Sequence, residues 1–517
     1  MSTTSIWTSS RRQSHPELRD DIDIEVAIVG AGITGLTAAI LLARAGRSVV
    51  VLEGQSIGAG VTGNTTAHLT QVIDKRYAQI ESSFGVDIAR AVARSSREAI
   101  DQIETLSGAT PGACGFVRLP GYLYVDRRDS EATQELDEEL AAASRAGLNV
   151  HDVSALPVAF GGDVLRALRF DDQAAIDAGL YLDALARLAA EAGVRIFEST
   201  RVVAIDDVEA VLHLDSGAEV RAQHLFLATH AAPHPHFLQL KVHAYLSYVL
   251  AFRADASVAP GLFWDTHDPY RYVRSLTRKD GSYVLVGGAD HRTGTEHETE
   301  RHFDELARYA EGRWALRDPA FAWSAQVFDS IDGLPFIGHR PGAERAFYAT
   351  GFGGNGMTFG TIAASIVSDA ILGVKNEWAD TYAATRKEPI SAAIPFLREN
   401  VKVPLHFVQD WIGGHTDVKS VGDIAPGDGA VVRMGAKRLA VYRDPAGDLH
   451  AVSPVCTHLG CLVKFNAAES SWDCACHGSR FAVDGRVLSG PATKPLAAKP
   501  RPDDVSEPRA LNEETTR

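Results

Sequence analysis

The chain has 517 residues, a length that calls for about three domains rather than one core. Its 45% hydrophobic and 23% charged content is that of a globular enzyme, not of a fibrous or disordered chain. A net charge of −15, with no block of Lys or Arg, argues against a nucleic-acid partner.

Residues 1 to 20 are polar and read as a disordered tail. Arg11-Arg12 is followed by His15-Pro16-Glu17-Leu18-Arg19-Asp20, where an export signal would need an apolar segment, so a cytoplasmic location is expected. Val26 to Ala45 approaches the length of a membrane span, but Gly30, Gly32, Gly35 and Arg44 interrupt it, and no span is expected.

Glu25 to Val29 is a continuous apolar run, the signature of a buried parallel strand. Gly30-Ala31-Gly32-Ile33-Thr34-Gly35 follows at once, and then Leu36, Ala39, Ile40 and Ala43 recur at helical spacing up to Gly46. A second strand, Ser48 to Leu52, ends in Glu53, about 20 residues beyond the glycines. This is a dinucleotide fingerprint in full context. Gly30 permits the tight turn, Gly32 lets backbone approach a pyrophosphate, and Gly35 lets helix pack on strand. The helix start supplies N–H groups and a positive dipole to the phosphates, and Glu53 can bind ribose hydroxyls. The pattern alone leaves FAD and NAD both open.

Gly58 to Thr70 is a long loop rich in Gly, Thr and Asn. Val202 to Thr229 reads as antiparallel strands with a turn at Asp215-Ser216-Gly217, and His243 to Phe252 and Tyr283 to Val286 as further strands. Arg271 and Arg274 read either as a bidentate clamp for a substrate carboxylate or as solvated strand arginines. Asp332 to Gly338 (DGLPFIG) precedes a strand, Ala346 to Thr350. Gly351 to Thr358 (GFGGNGMT) then opens a helix, Ile362 to Leu372, a second glycine-rich strand-to-helix turn.

On these motifs, with Asn64 to Ala67 and Ala228-Thr229, residues 24 to 385 resemble the D-amino-acid-oxidase-like (glycine and sarcosine oxidase) family. The resemblance implies an α/β FAD-binding Rossmann-like domain over 21 to 385, with a mixed-sheet substrate domain inserted around 200 to 330. It implies FAD held by Gly30, Gly32, Gly35, Glu53, Thr65, Thr66, Val203, Ala228, Gly353, Gly354, Asn355, Gly356, Met357 and Thr358, the last six beside the flavin ring. His68, near that loop, raises the question of covalent flavin attachment.

Residues 386 to 414 read as a linker, and 415 to 505 as a small all-β domain of short strands, with a tail over 506 to 517. Four of the five cysteines fall between Cys456 and Cys476, a clustering that points to a metal site. Cys456-Thr457-His458-Leu459-Gly460-Cys461 and Cys474-Ala475-Cys476-His477-Gly478-Ser479 each offer a Cys and a His at short spacing. Two thiolates and two imidazoles suit an unsymmetrical [2Fe–2S] centre. They also suit tetrahedral zinc, which would leave Cys461 and Cys476 unexplained. The two loops resemble the Rieske family. That implies Cys456 and Cys474 on the buried iron, His458 and His477 on the exposed one, and a Cys461–Cys476 disulfide. It also implies a hydrogen bond from Ser479 to cluster sulfur, and Gly490-Pro491-Ala492 as the loop covering the cluster. Phe481 stands where many members have Tyr, which lowers the potential within the Rieske range of about −150 to +300 mV. Cys114 reads as a structural thiol.

The expected function is oxidation of a small amine or amino acid by FAD, with electrons passed through the cluster to a carrier protein, quinone or oxygen. Two readings stay open beside it: a reversed flow from cluster to flavin for a reductive or oxygenase reaction, and an electron-transfer module without its own substrate.

Overall fold

The computed structural model describes residues 4–9, 14–108, 114–126, 132–157, 160–161, 164–231, 237–254, 259–386, 389, 417–418, 420–434 and 437–501. The chain divides into two compact units, Met1–Thr293 with Thr299–Lys402, and Gly294–Glu298 with Val403–Arg517. Of the predicted linker 386–414, only Arg386 and Pro389 are described, and the predicted tail 506–517 lies outside the described residues.

The first unit opens with β1 (Ile22–Val29), α1 (Ile33–Arg44) and β2 (Val49–Leu52). The last four residues of β1 and all of β2 are buried, as expected of strands covered on both faces. There follow β3 (His68–Leu69), α2 (Tyr77–Phe84), α3 (Val86–Ser107), β4 (Val117–Asp126), α4 (Thr133–Ala146), β5 (Val150–Val153), β6 (Val164–Ala175) and α5 (Ala178–Glu191). Next come β7 (Arg195–Phe197), β8 (Val202–Asp206), β9 (Val211–Leu214), β10 (Glu219–Leu227), β11 (Val242–Arg253), β12 (Leu262–Asp265), β13 (Tyr272–Arg278) and β14 (Gly281–Arg292). The unit ends with α6 (Glu300–Trp314), β15 (Phe321–Ser330), β16 (Phe336–Arg340), β17 (Ala343–Thr350), α7 (Gly356–Leu372) and α8 (Ala379–Tyr382).

These strands form two sheets. The first runs β16-β17-β10-β1-β2-β7, parallel from β17 to β7, with β8 and β9 attached to β10 as antiparallel strands. The second runs β15-β11-β14-β13-β12-β4-β6-β3, with β5 on β6; its pairs are antiparallel except β12 with β4. The inserted domain therefore differs from the span read from sequence. β8 to β10 join the first sheet, because β10 pairs along β1 from Ile22↔Val220 to Val29↔Leu227. Segments before residue 176 supply β3 to β6 of the second sheet.

The first 20 residues are not simply a loose tail. Ile6 and Trp7 lie in a short 3-10 turn and are buried, and the Leu18 N–H donates to Thr200 Oγ1 at 3.0 Å. One buried Trp outweighs the polar composition around it, since its apolar area alone is worth a few kcal/mol, roughly.

The DGLPFIG segment is held from behind. The Arg386 guanidinium donates through Nε to Asp332 Oδ2 at 2.8 Å and through Nη2 to Oδ1 at 2.6 Å, and also to the carbonyls of Leu334 and Pro335. The Asp332 side chain is 0% exposed and that of Arg386 6%. Removing the cation leaves a buried carboxylate uncompensated, at a cost of about 3–5 kcal/mol. Arg386→Met is therefore expected to lower the thermal midpoint of the first unit by several degrees, measured by scanning calorimetry of the holoprotein.

The second unit is all-β among its described residues. β18 (Gly429–Met434), β19 (Lys437–Arg443) and β20 (Leu449–Val452) make one antiparallel sheet. β21 (Val463–Asn466), β22 (Ser471–Cys474), β23 (Arg480–Ala482) and β24 (Val487–Ser489) make another. It has its own core, in which Trp472, Phe481 and Val463 are fully buried. Among the described residues of the chain, no helix is long and apolar enough to cross a membrane; Val26 to Ala45 resolves into β1, a turn and α1.

Candidate functional sites

In the first unit the fingerprint glycines sit at the carboxyl end of the central strand β1. Gly30 has φ +108°, and an added Cβ would lie 2.6 Å from the Ala228 carbonyl oxygen. Gly30 and Ala228 are thus packed backbone to backbone. A Cβ on Gly35 would overlap the Gly30 carbonyl and touch Ile28 Cγ2 at 3.2 Å, so the start of α1 lies tight against β1. Glu53, at the end of β2, accepts from the Ala31 N–H and the Gln55 N–H, each at 2.9 Å. It stays partly open while burial pushes its carboxyl upward. Val203 lies where the β8 register shifts between Val202 and Ala204.

The second glycine-rich turn meets the first. A Cβ on Gly360 in α7 would lie 2.5 Å from Thr34 Oγ1, so α7 and α1 approach closely near their N-termini. Neither N-cap residue caps its helix through its own side chain, though the Ile33 N–H of α1 donates to Thr62 Oγ1 at 3.3 Å, so further backbone N–H groups at both starts face outward for a bound anion or ring. Asn355 and Gly354 are fixed from the α2 approach: the Asp74 N–H donates to Asn355 Oδ1 at 2.9 Å, Asn355 Nδ2 to the Val72 carbonyl at 3.2 Å, and the Gly354 N–H to Asp74 Oδ2 at 2.6 Å. Thr358 donates to the Thr70 carbonyl at 3.3 Å, and Met357 is buried.

Thr65 and Thr66 lie in a loop pinned through its carbonyls by distant residues. Trp7 Nε1 donates to the Thr65 carbonyl at 2.5 Å, and Trp323 Nε1 to that of Asn64 at 2.8 Å. Arg274 Nη1 reaches the carbonyls of Thr66 at 2.9 Å, Ala67 at 2.7 Å and Ile176 at 3.2 Å. Sequence reasoning missed Trp7 and Trp323; an isolated Trp in a polar stretch was the available signal. It also misread Arg274, which is 2% exposed and neither a solvated arginine nor a clamp. Arg271 likewise stands in the field of Asp265 and Glu305, with its guanidinium 4.8 Å from the Tyr309 ring centre. His68 sits beside this loop, its Nδ1 3.0 Å from Thr66 Oγ1, and burial pulls its imidazole down to about 3. Buried Cys114 lies 3.7 Å from the Leu180 carbonyl, outside these sites.

In the second unit the two Cys/His loops are built alike. The Cys456 N–H donates to the Cys461 carbonyl at 2.8 Å, and the Cys474 N–H to that of Ser479 at 2.9 Å. Gly460 and Gly478 each donate back to the first cysteine's carbonyl, with φ of +81° and +79°, a conformation that favours glycine. Cys461 and Cys476 form a disulfide. Cys456 and Cys474 remain as buried free thiols, and the His458 and His477 rings lie 5.0 Å apart, half-buried. A hydrogen bond from Cys474, aided by the N–H groups of His458 and Leu459 and the Ser479 hydroxyl, pulls the Cys456 thiol down to about 7. The N–H groups of Cys476 and His477 face the Cys474 sulfur. Two buried sulfurs wrapped in N–H donors, with two more exposed imidazoles, fit a centre with one thiolate-bound and one imidazole-bound iron. The Ser479 hydroxyl also accepts from the Ala492 N–H at 3.0 Å, which ties the Gly490–Ala492 loop to this site.

Comparison with known proteins agrees with both halves. The FAD dependent oxidoreductase family matches residues 25–370, and the Rieske [2Fe-2S] domain matches residues 414–500. YhfW of Bacillus subtilis, named for a Rieske 2Fe-2S iron-sulfur centre, is 30% identical over 493 residues, covering 95% of this chain and 96% of its own. The crystal structure of glycine oxidase from Geobacillus kaustophilus is similar with a TM-score of 0.60 at 19% identity, covering 71% of this chain and 99% of that one. That of L-proline dehydrogenase from P. horikoshii gives a TM-score of 0.56 at 17% identity, covering 71% and 98%. The Rieske match decides for iron over zinc at the Cys/His loops. The chain belongs to the FAD dependent oxidoreductase family, carries a C-terminal Rieske [2Fe-2S] domain, and is an enzyme whose cofactors are FAD and a [2Fe-2S] cluster.

Proposed function

We propose that this enzyme oxidises the C–N bond of a small amine or amino acid to an imine and delivers the electrons through its Rieske centre to an external acceptor, a carrier protein, a quinone or oxygen. The substrate loses a hydride from carbon and a proton from nitrogen; FAD supplies the two-electron acceptor and the cluster a one-electron relay. The observation that carries the reading is the presence of both ligand sets on one chain. An oxidase that gives its electrons directly to oxygen has no use for a one-electron relay. The likeness to proteins titled glycine oxidase and L-proline dehydrogenase supports the C–N bond as the point of attack.

The residues named above have distinct tasks in this scheme. Glu53 and the start of α1 would hold ribose and pyrophosphate, and Gly353 to Thr358 would lie along the flavin. Trp7, Trp323 and Arg274 would fix the Thr65-Thr66 loop without touching substrate. Cys456, Cys474, His458 and His477 would hold the cluster. The test is anaerobic mixing of the holoprotein with amines and amino acids, following flavin absorbance and the electron-spin-resonance signal of the reduced cluster. The expected result is flavin bleaching by one compound, followed by growth of the cluster signal. Failure of every compound to bleach the flavin, while dithionite reduces both centres, would overturn the reading in favour of electron entry through the cluster.

A further inference from the structure

The wall beside the Gly353-Gly354 turn is made of three carboxylates and two tyrosines drawn from separate parts of the chain. Asp74 Oδ1 accepts from the Tyr270 hydroxyl at 3.0 Å, and its Oδ2 lies 2.8 Å from where a Cβ on Gly353 would stand. Asp329 Oδ1 lies 3.2 Å from the same point. The Tyr272 hydroxyl is 2.9 Å from Ser247 Oγ, and Ser247 in turn hydrogen-bonds Asp290. Asp290 Oδ1 is shut off from solvent and has no hydrogen-bond partner.

Tyr270, Asp290 and Asp329 are half-buried and Asp74 is exposed, so the carboxylates lie open to a ligand that approaches the turn. Among the described residues no Lys, Arg or His pairs with any of the three carboxylates. Burial, reinforced by the neighbouring acids, pushes Asp290 up to about 7 and Asp329 up to about 8. Arg271 and Arg274, which flank the two tyrosines in sequence, are engaged with Asp265 and Glu305 and with backbone carbonyls. Half-buried carboxylates crowded together without a paired cation are stabilised by a ligand that brings one.

We propose that this wall selects a cationic amine lacking a carboxylate, with Asp290 and Asp329 as the residues that receive its positive charge. The inference rests on the flavin-side placement of the Gly353-Gly354 turn and narrows the proposed amine oxidation to one substrate class. An α-amino acid would set its carboxylate against three acids that no Lys, Arg or His pairs among the described residues. A diamine or other alkylammonium compound has no such penalty.

The test is an anaerobic titration of the FAD- and cluster-loaded protein at fixed ionic strength with 1,4-diaminobutane, glycine and L-proline, reading the flavin difference spectrum. The expected result is half-saturation by the diamine at least tenfold below either amino acid, and a rise of tenfold or more in Asp290→Asn and Asp329→Asn. Tighter or equal binding of glycine or L-proline, absence of any perturbation by the diamine, or unchanged diamine affinity in both variants would overturn the proposal. Should a variant lose its FAD, the wild-type comparison of diamine with amino acids decides alone. Bleaching, read in the same cuvette, separates this inference from the reaction it rests on. A diamine that binds tightly without bleaching upholds the cation wall and counts against oxidation. An amino acid that binds tighter and bleaches upholds oxidation and removes the wall.

Discussion

Replacing Cys456 by Ser is expected to abolish the electron-spin-resonance signal of the reduced cluster while FAD stays bound. The Cys456 sulfur is buried and faces the N–H groups of His458 and Leu459 and the Ser479 hydroxyl, donors that suit a thiolate ligand of the proposed cluster site. A serine hydroxyl in the same place stays protonated and is a poor ligand for this kind of centre. The signal should fall at least about tenfold per protein, since a cluster missing one of its four protein ligands is seldom retained. Flavin absorbance and its bleaching by substrate should be unchanged, because the first unit has its own core and none of its cofactor residues lies in the second. Retention of the signal would place the cluster on other ligands.

Replacing Gly35 by Val is expected to produce the converse protein, cluster-loaded and depleted of FAD. The new side chain would overlap the Gly30 carbonyl and crowd Ile28, so α1 must move off β1. Overpacking of this kind costs about 1–3 kcal/mol, occasionally more, and here the displaced atoms are those of the turn proposed to hold the pyrophosphate. FAD per protein should fall at least about tenfold after desalting, measured against the cluster signal as internal standard. Full FAD content in the variant would mean that the α1 turn is not where the pyrophosphate binds.

What the sequence made legible was whatever the backbone demands locally. Gly460 and Gly478 stand in left-handed conformations two residues and one residue after the cluster histidines, and such a demand is written directly as residue type and spacing. The buried second half of β1 and all of β2 were legible in the same way, as short apolar runs. Long-range partners were not. Trp323 meets the carbonyl of Asn64, Arg274 that of Ala67, and Arg386 the carboxylate of Asp332, and no local pattern announces any of these pairings. Asp74, Asp290 and Asp329 are single acids in three unrelated contexts: Asp290 lies in β14 and Asp329 in β15, which flank β11 in the second sheet, and Asp74 comes from the segment between β3 and α2. The assignment of β8 to β10 to the wrong sheet has the same origin: an alternating strand shows how it is buried, not which neighbour it pairs with.

The order of strands in the first sheet sets a timetable for synthesis. β1 and β2 leave the ribosome early, but β1 must pair with β10, and β10 with β17, so the sheet cannot close until Thr350 has emerged. Until then the nascent chain carries the buried faces of β1 and β2 without their partners, a state that invites chaperone binding and makes the oxidoreductase unit slow to mature. The second unit draws all its strands from the last stretch of the chain and pairs only near neighbours. It can complete its small sheets soon after release, so a polypeptide halted in folding would carry a finished cluster domain beside an unfinished flavin domain.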